Sequence, residues 1–202
     1  MTRFLLIFLI LVGVASAQII VPITPAERRI LFLVESVRLS SLSGTNIMKR
    51  DDILTMIDNG LDLYFNMDEV AKSLLGSNYS KFATNEIREF QLNFRQIVKY
   101  SIYLQKDQAT GTGDIQLVKD PFVPNPNATA TIQFIPKLQT TPVRLSFVFD
   151  DQVRYLQDLL LNNDSLMKQY REQFQAILKK NGAKSFLKLL SAKVKELQHR
   201  AR

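Results

Sequence analysis

With 202 residues, no cysteine, one histidine and a formal net charge of +7, the sequence excludes several classes at the outset. Disulfide frameworks and zinc sites of the usual ligand set are unavailable, and the length suits one domain with a core large enough to stand without staples. A basic chain in the cytoplasm suggests nucleic acid. After export the same charge reflects approach to anionic lipid, an acidic partner, or plain solubility.

The chain opens with a segment that reads as a secretory signal peptide. Arg3 is its positive n-region, residues 4–14 are an apolar run short for a bilayer span, and Ala15-Ser16-Ala17 is a small-x-small cleavage site. A retained N-terminal anchor is the alternative. Cleavage after Ala17 starts the mature chain at Gln18, and with no cysteine behind the apolar run a lipid-modified terminus is excluded. Residues 18–202 are then expected to be one periplasmic domain, with helices over 24–104, a sheet over 113–161 and helices over 165–198.

Thr24-Pro25-Ala26-Glu27 is a capping box with proline at the first helical position, followed by Ile30, Val34 and Val37 at helical spacing. A polar loop, 40–46, precedes a second helix marked by Ile53, Leu54, Ile57 and Leu61. Asn66 is placed to cap a third helix, whose stripe is Val70, Ala71, Leu74 and Leu75, with Gly76 ending it. Thr84 is placed to cap a fourth, with Ile87, Phe90, Phe94 and Ile97 at 3–4 spacing toward Leu104.

The period then changes. Gly111-Thr112-Gly113 breaks the helix, and Ile115 and Leu117 alternate with polar residues. A turn-rich loop covers 121–127. Ile132 and Phe134 alternate, and Val143, Leu145, Phe147 and Phe149 form a period-2 series. Residues 150–152 read as a hairpin turn, and a last strand is expected from Val153 to about Leu161. Short connections predict an antiparallel meander with one buried face. Helical spacing returns with Leu166, Tyr170, Phe174, Ile177 and Leu178. Asn181-Gly182 ends that helix, and Leu187, Leu190, Val194 and Leu197 mark another. The order of elements predicts an α+β fold: a twisted antiparallel sheet of about four strands covered by N- and C-terminal helices.

Catalytic constellations are not visible. His199 lies in the terminal segment, where a solvated tail role is expected. Asp150 and Asp151 suit a turn better than an acid/base pair. Asp158, mid-strand among apolar residues, is expected to be a paired structural carboxylate. Gly111-Thr112-Gly113 follows a helix, the reverse of the dinucleotide-binding order, and Gly182-Ala183-Lys184-Ser185 lacks the Gly-Lys pair of a phosphate loop. The chain is therefore expected not to be an enzyme and to need no cofactor. Lys179, Lys180, Lys184, Lys188, Lys193 and Lys195 concentrate near the C-terminus, either as a solvated face or as a surface for anionic headgroups or a docking partner.

Two blocks carry a family resemblance. The first is Phe65-Asn66-Met67, then Leu75-Gly76, Tyr79, and Phe90 with Phe94. The second is Asp158, Ser165-Leu166, Tyr170-Arg171, Phe174, Gly182 and the leucine-rich 187–190. In order and spacing the chain resembles the MlaC family of periplasmic phospholipid carriers, also called toluene-tolerance auxiliary proteins. It departs at Arg154 and Tyr79, where the family has or often has Trp, and at Asn66 and Asn163, which replace the turn Asp and a Gly.

The resemblance implies an apolar pocket between sheet and helices that holds phospholipid as cargo. It also implies shuttling between an outer-membrane lipoprotein complex and an inner-membrane ABC transporter with an MCE-domain subunit, which maintains outer-membrane lipid asymmetry. Transient membrane-surface contact is expected, and no nucleic acid. The pocket candidates are Ile132, Phe134, Val143, Leu145, Phe147 and Phe149 on the sheet. Leu74, Phe90, Phe94, Ile97, Tyr170 and Phe174 are the candidates on the helices. Some of these are plain core, and the sequence does not separate the two kinds. Burial recovers about 0.8 kcal/mol per CH₂, on the order of 20 kcal/mol gross for two long chains, so the wall must be almost wholly apolar. An envelope chaperone shielding apolar segments of exported proteins or lipoproteins is the competing reading.

Overall fold

The computed structural model describes residues 24–31, 49–109, 116–120, 123, 125–135 and 141–202, with backbone alone for 105–109. The signal segment 1–17, Val34 and Val37, loop 40–46, Gly111-Thr112-Gly113 and Ile115 lie outside the described residues, as do Pro121, Phe122 and Pro124 of the turn-rich loop.

Local capping chemistry sets the helix starts. In α1, which covers 25–31, Thr24 N–H donates to the Glu27 carboxylate at 2.9 Å and Glu27 N–H donates to Thr24 Oγ1 at 3.2 Å, the reciprocal pair expected of a capping box. Glu27 is itself buried and pairs with Lys119. Helix α2 spans Arg50–Tyr64 and α3 spans Met67–Leu75, capped by Asn66, whose Oδ1 accepts from Asp68 N–H and Glu69 N–H. Gly76 closes α3 at φ 54 and opens a 3₁₀ turn, Gly76–Lys81.

Helix α4, Thr84–Ala109, begins one residue earlier than a cap at Thr84 implies. Thr84 is already helical; the residue before it, Ala83, donates its N–H to the Glu86 carboxylate at 2.9 Å. Acidic reach-back substitutes here for a hydroxyl cap.

The sheet is a five-stranded antiparallel meander in sequence order: β1 Gln116–Val118, β2 Thr129–Phe134, β3 Val143–Phe149, β4 Leu156–Leu161 and β5 Asp164–Ser165. The fifth strand is two residues long, too short to leave a periodic signal. It returns through Asn162 and Asn163 at φ 47 and 72, the paired left-handed residues of a two-residue hairpin loop. The β3–β4 connection is longer than the sequence suggests. Val153 sits at φ 53, donates its N–H to Asp150 O at 2.8 Å, and belongs to the loop; Asp150 Oδ1 accepts Arg154 N–H at 2.6 Å. The strand starts at Leu156 rather than Val153.

One sheet face is apolar. Cross-strand neighbours Ala130–Phe147 and Ile132–Leu145 continue to Leu159 and Leu161 on β4, with Leu156 opposite Phe149, packing against Ala26, Ile30 and Tyr64. The second face is also buried at its centre, contrary to a one-sided meander: Thr131 and Ser146 are 3% and 1% exposed, and their hydroxyls share a 2.8 Å hydrogen bond. Because the two small hydroxyls satisfy each other, residues that read as solvent-facing tolerate burial.

Helix α5, Leu166–Arg200, is broken at Gly182 (φ 72, ψ 169), where the sequence places the end of one helix. Its N-cap is Ser165, whose Oγ accepts Lys168 N–H at 2.9 Å. The helices form a separate apolar core, centred on Phe90, Phe174, Phe186 and Leu74. Charged groups lock the layers. Arg95 on α4 pairs with Asp58 and Asp62 on α2 and donates to Asp58 O at 3.0 Å, while Lys99 also reaches Asp58. The Arg95 hydrogen bond holds the Asp62 carboxyl below its ordinary range. Arg29 of α1 donates to Leu63 O and Arg154 O, each at 2.8 Å, with its guanidinium 4.9 Å from the Tyr64 ring centre.

Candidate functional site

Where helical core meets sheet edge, packing is incomplete. Helix α4 aims Phe94, Ile97, Val98 and Ser101 toward this seam, at the i, i+3, i+4, i+7 spacing of one helix face. Leu156 and Leu159 supply the β4 wall. The first turn of α5 adds Leu166, Met167 and Tyr170, delivered there by the short β4–β5 hairpin. Together with Phe65 they line a crevice of about 30 Å³ that is apolar apart from Ser101, Gln157 and Asp158.

The polar groups are mostly committed elsewhere. Ser101 Oγ donates to Ile97 O at 2.5 Å. Asp158 Oδ1 accepts from Leu159 N–H at 2.7 Å and from Met167 N–H at 3.1 Å, so its carboxylate caps the first turn of α5 alongside Ser165. That is the structural role anticipated for it.

A second crevice, of about 40 Å³, lies on the far side of the same wall. Phe94, Ile97 and Tyr170 border both; beyond them the second is lined by Phe174, Ile177, Phe186 and Leu190, with Leu189 and Lys193 among its other lining residues. The partition is aromatic. Tyr170 meets Phe94 edge-on at 6.2 Å and Phe174 at 6.0 Å. Burial alone pushes the Tyr170 phenol up to about 12, so it stays neutral at physiological pH. Each crevice holds roughly two or three water-sized groups.

The twelve residues singled out from the sequence separate into three groups. Phe94, Ile97, Tyr170 and Phe174 border the crevices. Leu74 and Phe90 are fully buried inside the helical core and reach neither. Ile132, Phe134, Leu145, Phe147 and Phe149 are buried on the sheet face against α1, with Val143 partly buried beside them, and also line neither. Sequence reasoning passed over Ser101 and Met167, and read Leu166 as part of a helical stripe rather than as a wall residue. A signal existed: Ser101 is seven residues from Phe94, hence on its face, and Leu166 and Met167 lie one turn before Tyr170. Among the described residues no three His, Asp or Glu side chains gather as a metal site requires.

A profile of the MlaC protein matches residues 38–192, a span that contains both resembling blocks. The chain belongs to the MlaC family. Two of the family-like positions have a visible backbone reason: Gly76 needs its positive φ, and Arg171 ties α5 to α3 by donating to Ser73 O at 2.6 Å and Ser73 Oγ at 2.8 Å. Among solved structures, the phospholipid-binding protein from Ralstonia solanacearum, determined in complex with a phospholipid, shares the MlaC-like fold. Its TM-score is 0.62 at 15% identity, covering 86% of this chain and 98% of that one. No curated protein matches the chain.

Proposed function

We propose that this MlaC-family protein is a periplasmic phospholipid carrier that binds lipid without modifying it. It would shuttle that lipid between an outer-membrane lipoprotein complex and an inner-membrane MCE-domain ABC transporter, after cleavage of its signal peptide at Ala17. The observation that carries the reading is the pair of apolar crevices on either side of Phe94, Ile97 and Tyr170, in a fold shared with a phospholipid complex.

Neither crevice is large enough for an acyl chain, so cargo must displace the partition. The exchange is feasible because the displaced contacts are themselves apolar. Moving Tyr170 from Phe94 to a methylene chain replaces dispersion contacts by similar ones. Loading then approaches a balance between bilayer and protein, as a carrier requires, and direction is left to partners that consume energy.

Lipid extraction and mass analysis of protein purified from an osmotic-shock fraction tests the reading. It predicts intact phospholipid bound to a chain beginning at Gln18. Incubation with labelled phospholipid should return it unchanged; lysolipid or free fatty acid released in proportion to protein would overturn the carrier reading, and so would a purified chain with only peptide segments bound.

A further inference from the structure

The charge of this chain is segregated. Residues 179–202 hold eight Lys and Arg and one acid, Glu196, a net of +7; the whole chain is also +7, so residues 1–178 balance at 18 basic against 18 acidic. All of the excess therefore rides on the end of α5. The helix after Gly182 divides its cations into two sets. Lys193 and Arg200 stand on the side of Glu196 and pair with it. Lys184, Lys188 and Lys195 are exposed and have no carboxylate partner among the described residues.

At 100° per residue those three fall within about 40° of one another, centred about 120° around the helix from the buried Leu187, Leu190, Val194 and Leu197. The stripe is about 16 Å long at 1.5 Å per residue. Exposed Lys179 and Lys180 extend the charge before the break, and Arg202 extends it past the helix end.

We infer that the stripe Lys184–Lys188–Lys195 is a docking face for an anionic phospholipid surface. Ordinary protein surfaces intersperse both signs, and this face does not. A protein partner would call for an aromatic or aliphatic anchor ringed by polar groups. Here the ground between the lysines is Ser185, Ser191 and Ala192, and the one exposed large apolar residue on this part of the helix, Leu189, points toward the Glu196 side. A straight row of unpaired ammonium groups without an anchor suits a diffuse plane of headgroup charge. The inference extends the carrier reading by naming the surface that meets the membrane, but it is measured without reference to cargo.

The test is co-flotation of the mature chain with vesicles of phosphatidylcholine, with and without phosphatidylglycerol. The wild type should float only with the anionic vesicles and be released at about 1 M salt, where the screening length falls to about 3 Å. Each lysine near an anionic surface contributes about fivefold in affinity, so K184Q/K188Q/K195Q should lose on the order of a hundredfold, and K188Q alone about fivefold. K193Q/R200Q removes charges already paired with Glu196 and should stay within about threefold. Bound cargo and melting temperature should not change in the triple variant; if it fails to fold, K188Q carries the reading. Wild-type binding to neutral vesicles as strong as to anionic ones overturns the inference. So does anionic binding that survives K188Q and the triple variant undiminished, or no vesicle binding at all, the outcome expected if the stripe serves an acidic protein. Loss of vesicle binding with cargo retained leaves the carrier role standing.

Discussion

Phe90→Ala separates core from crevice on the same helix. Phe90 is fully buried, stacked on Phe94 at 5.9 Å and Phe186 at 6.0 Å, with Phe174 edge-on at 5.9 Å. Its neighbours belong to α4 and to both halves of α5, so none can close the space without moving a helix. Phe→Ala changes at sites of this kind cost about 3–5 kcal/mol, and limited collapse places this one toward the upper end. For a domain of this size each kcal/mol shifts the melting temperature by about 2–4 °C, which gives a fall of roughly 6–20 °C by circular dichroism or calorimetry. Leu92→Ala, two residues on and 56% exposed, should change stability by less than about 0.5 kcal/mol. Since Phe90 touches neither crevice, lipid bound per folded molecule should equal that of the wild type. A Phe90→Ala melt no lower than that of Leu92→Ala refutes the account of the helical core. Normal folding with lost cargo refutes the division between core and wall.

Gly76→Ala should lose about 1–3 kcal/mol in urea denaturation, because the new residue is held at φ 54 and its Cβ would stand 2.8 Å from Gln175 Nε2; adding Gln175→Ala removes the clash but leaves the backbone strain, so rescue should be partial. Arg29→Met should cost about 1–3 kcal/mol, with amide exchange rising in 25–31 and unchanged in α5, since it cuts the hydrogen bonds to Leu63 and Arg154. The Tyr170 phenol, raised to about 12 against about 10 when unfolded, stabilises the native state fully below pH 10 and loses that contribution as pH rises through 12. Absorbance titration should show one phenol near 12 that vanishes in Tyr170→Phe, and a phenol titrating near 10 in the folded protein would contradict its burial.

Elements with strong local chemistry were legible in the sequence. The Thr24–Glu27 box, the Asn66 cap, the Gly76 and Gly182 breaks and the β2–β3 alternation each rest on one or two residues whose preference is decisive. What escaped depended on partners far away in the chain. Thr131 and Ser146 read as solvent-facing because their mutual hydrogen bond crosses strands. Val153 read as strand because it is β-branched, yet the Asp150 hydrogen bonds hold it in the loop. The site was half legible for the same reason. A stripe such as Phe90, Phe94 and Ile97 shows that a face is buried, but not where packing stops: Phe90 and Phe94 each meet three rings, yet only Phe94, one turn on, borders a gap. Ser101 became part of the wall only because the β4–β5 hairpin returns α5 beside it.

The central claim is that Phe94, Ile97 and Tyr170 part to admit phospholipid. Native mass spectrometry of the mature protein, taken from the periplasm and again after incubation with phospholipid vesicles, tests it most directly. The account predicts a population heavier than the polypeptide by a phospholipid mass, reduced to the bare chain when Phe94→Arg places a charge in the partition. A bare polypeptide mass under both conditions, or full loading of Phe94→Arg, would contradict it.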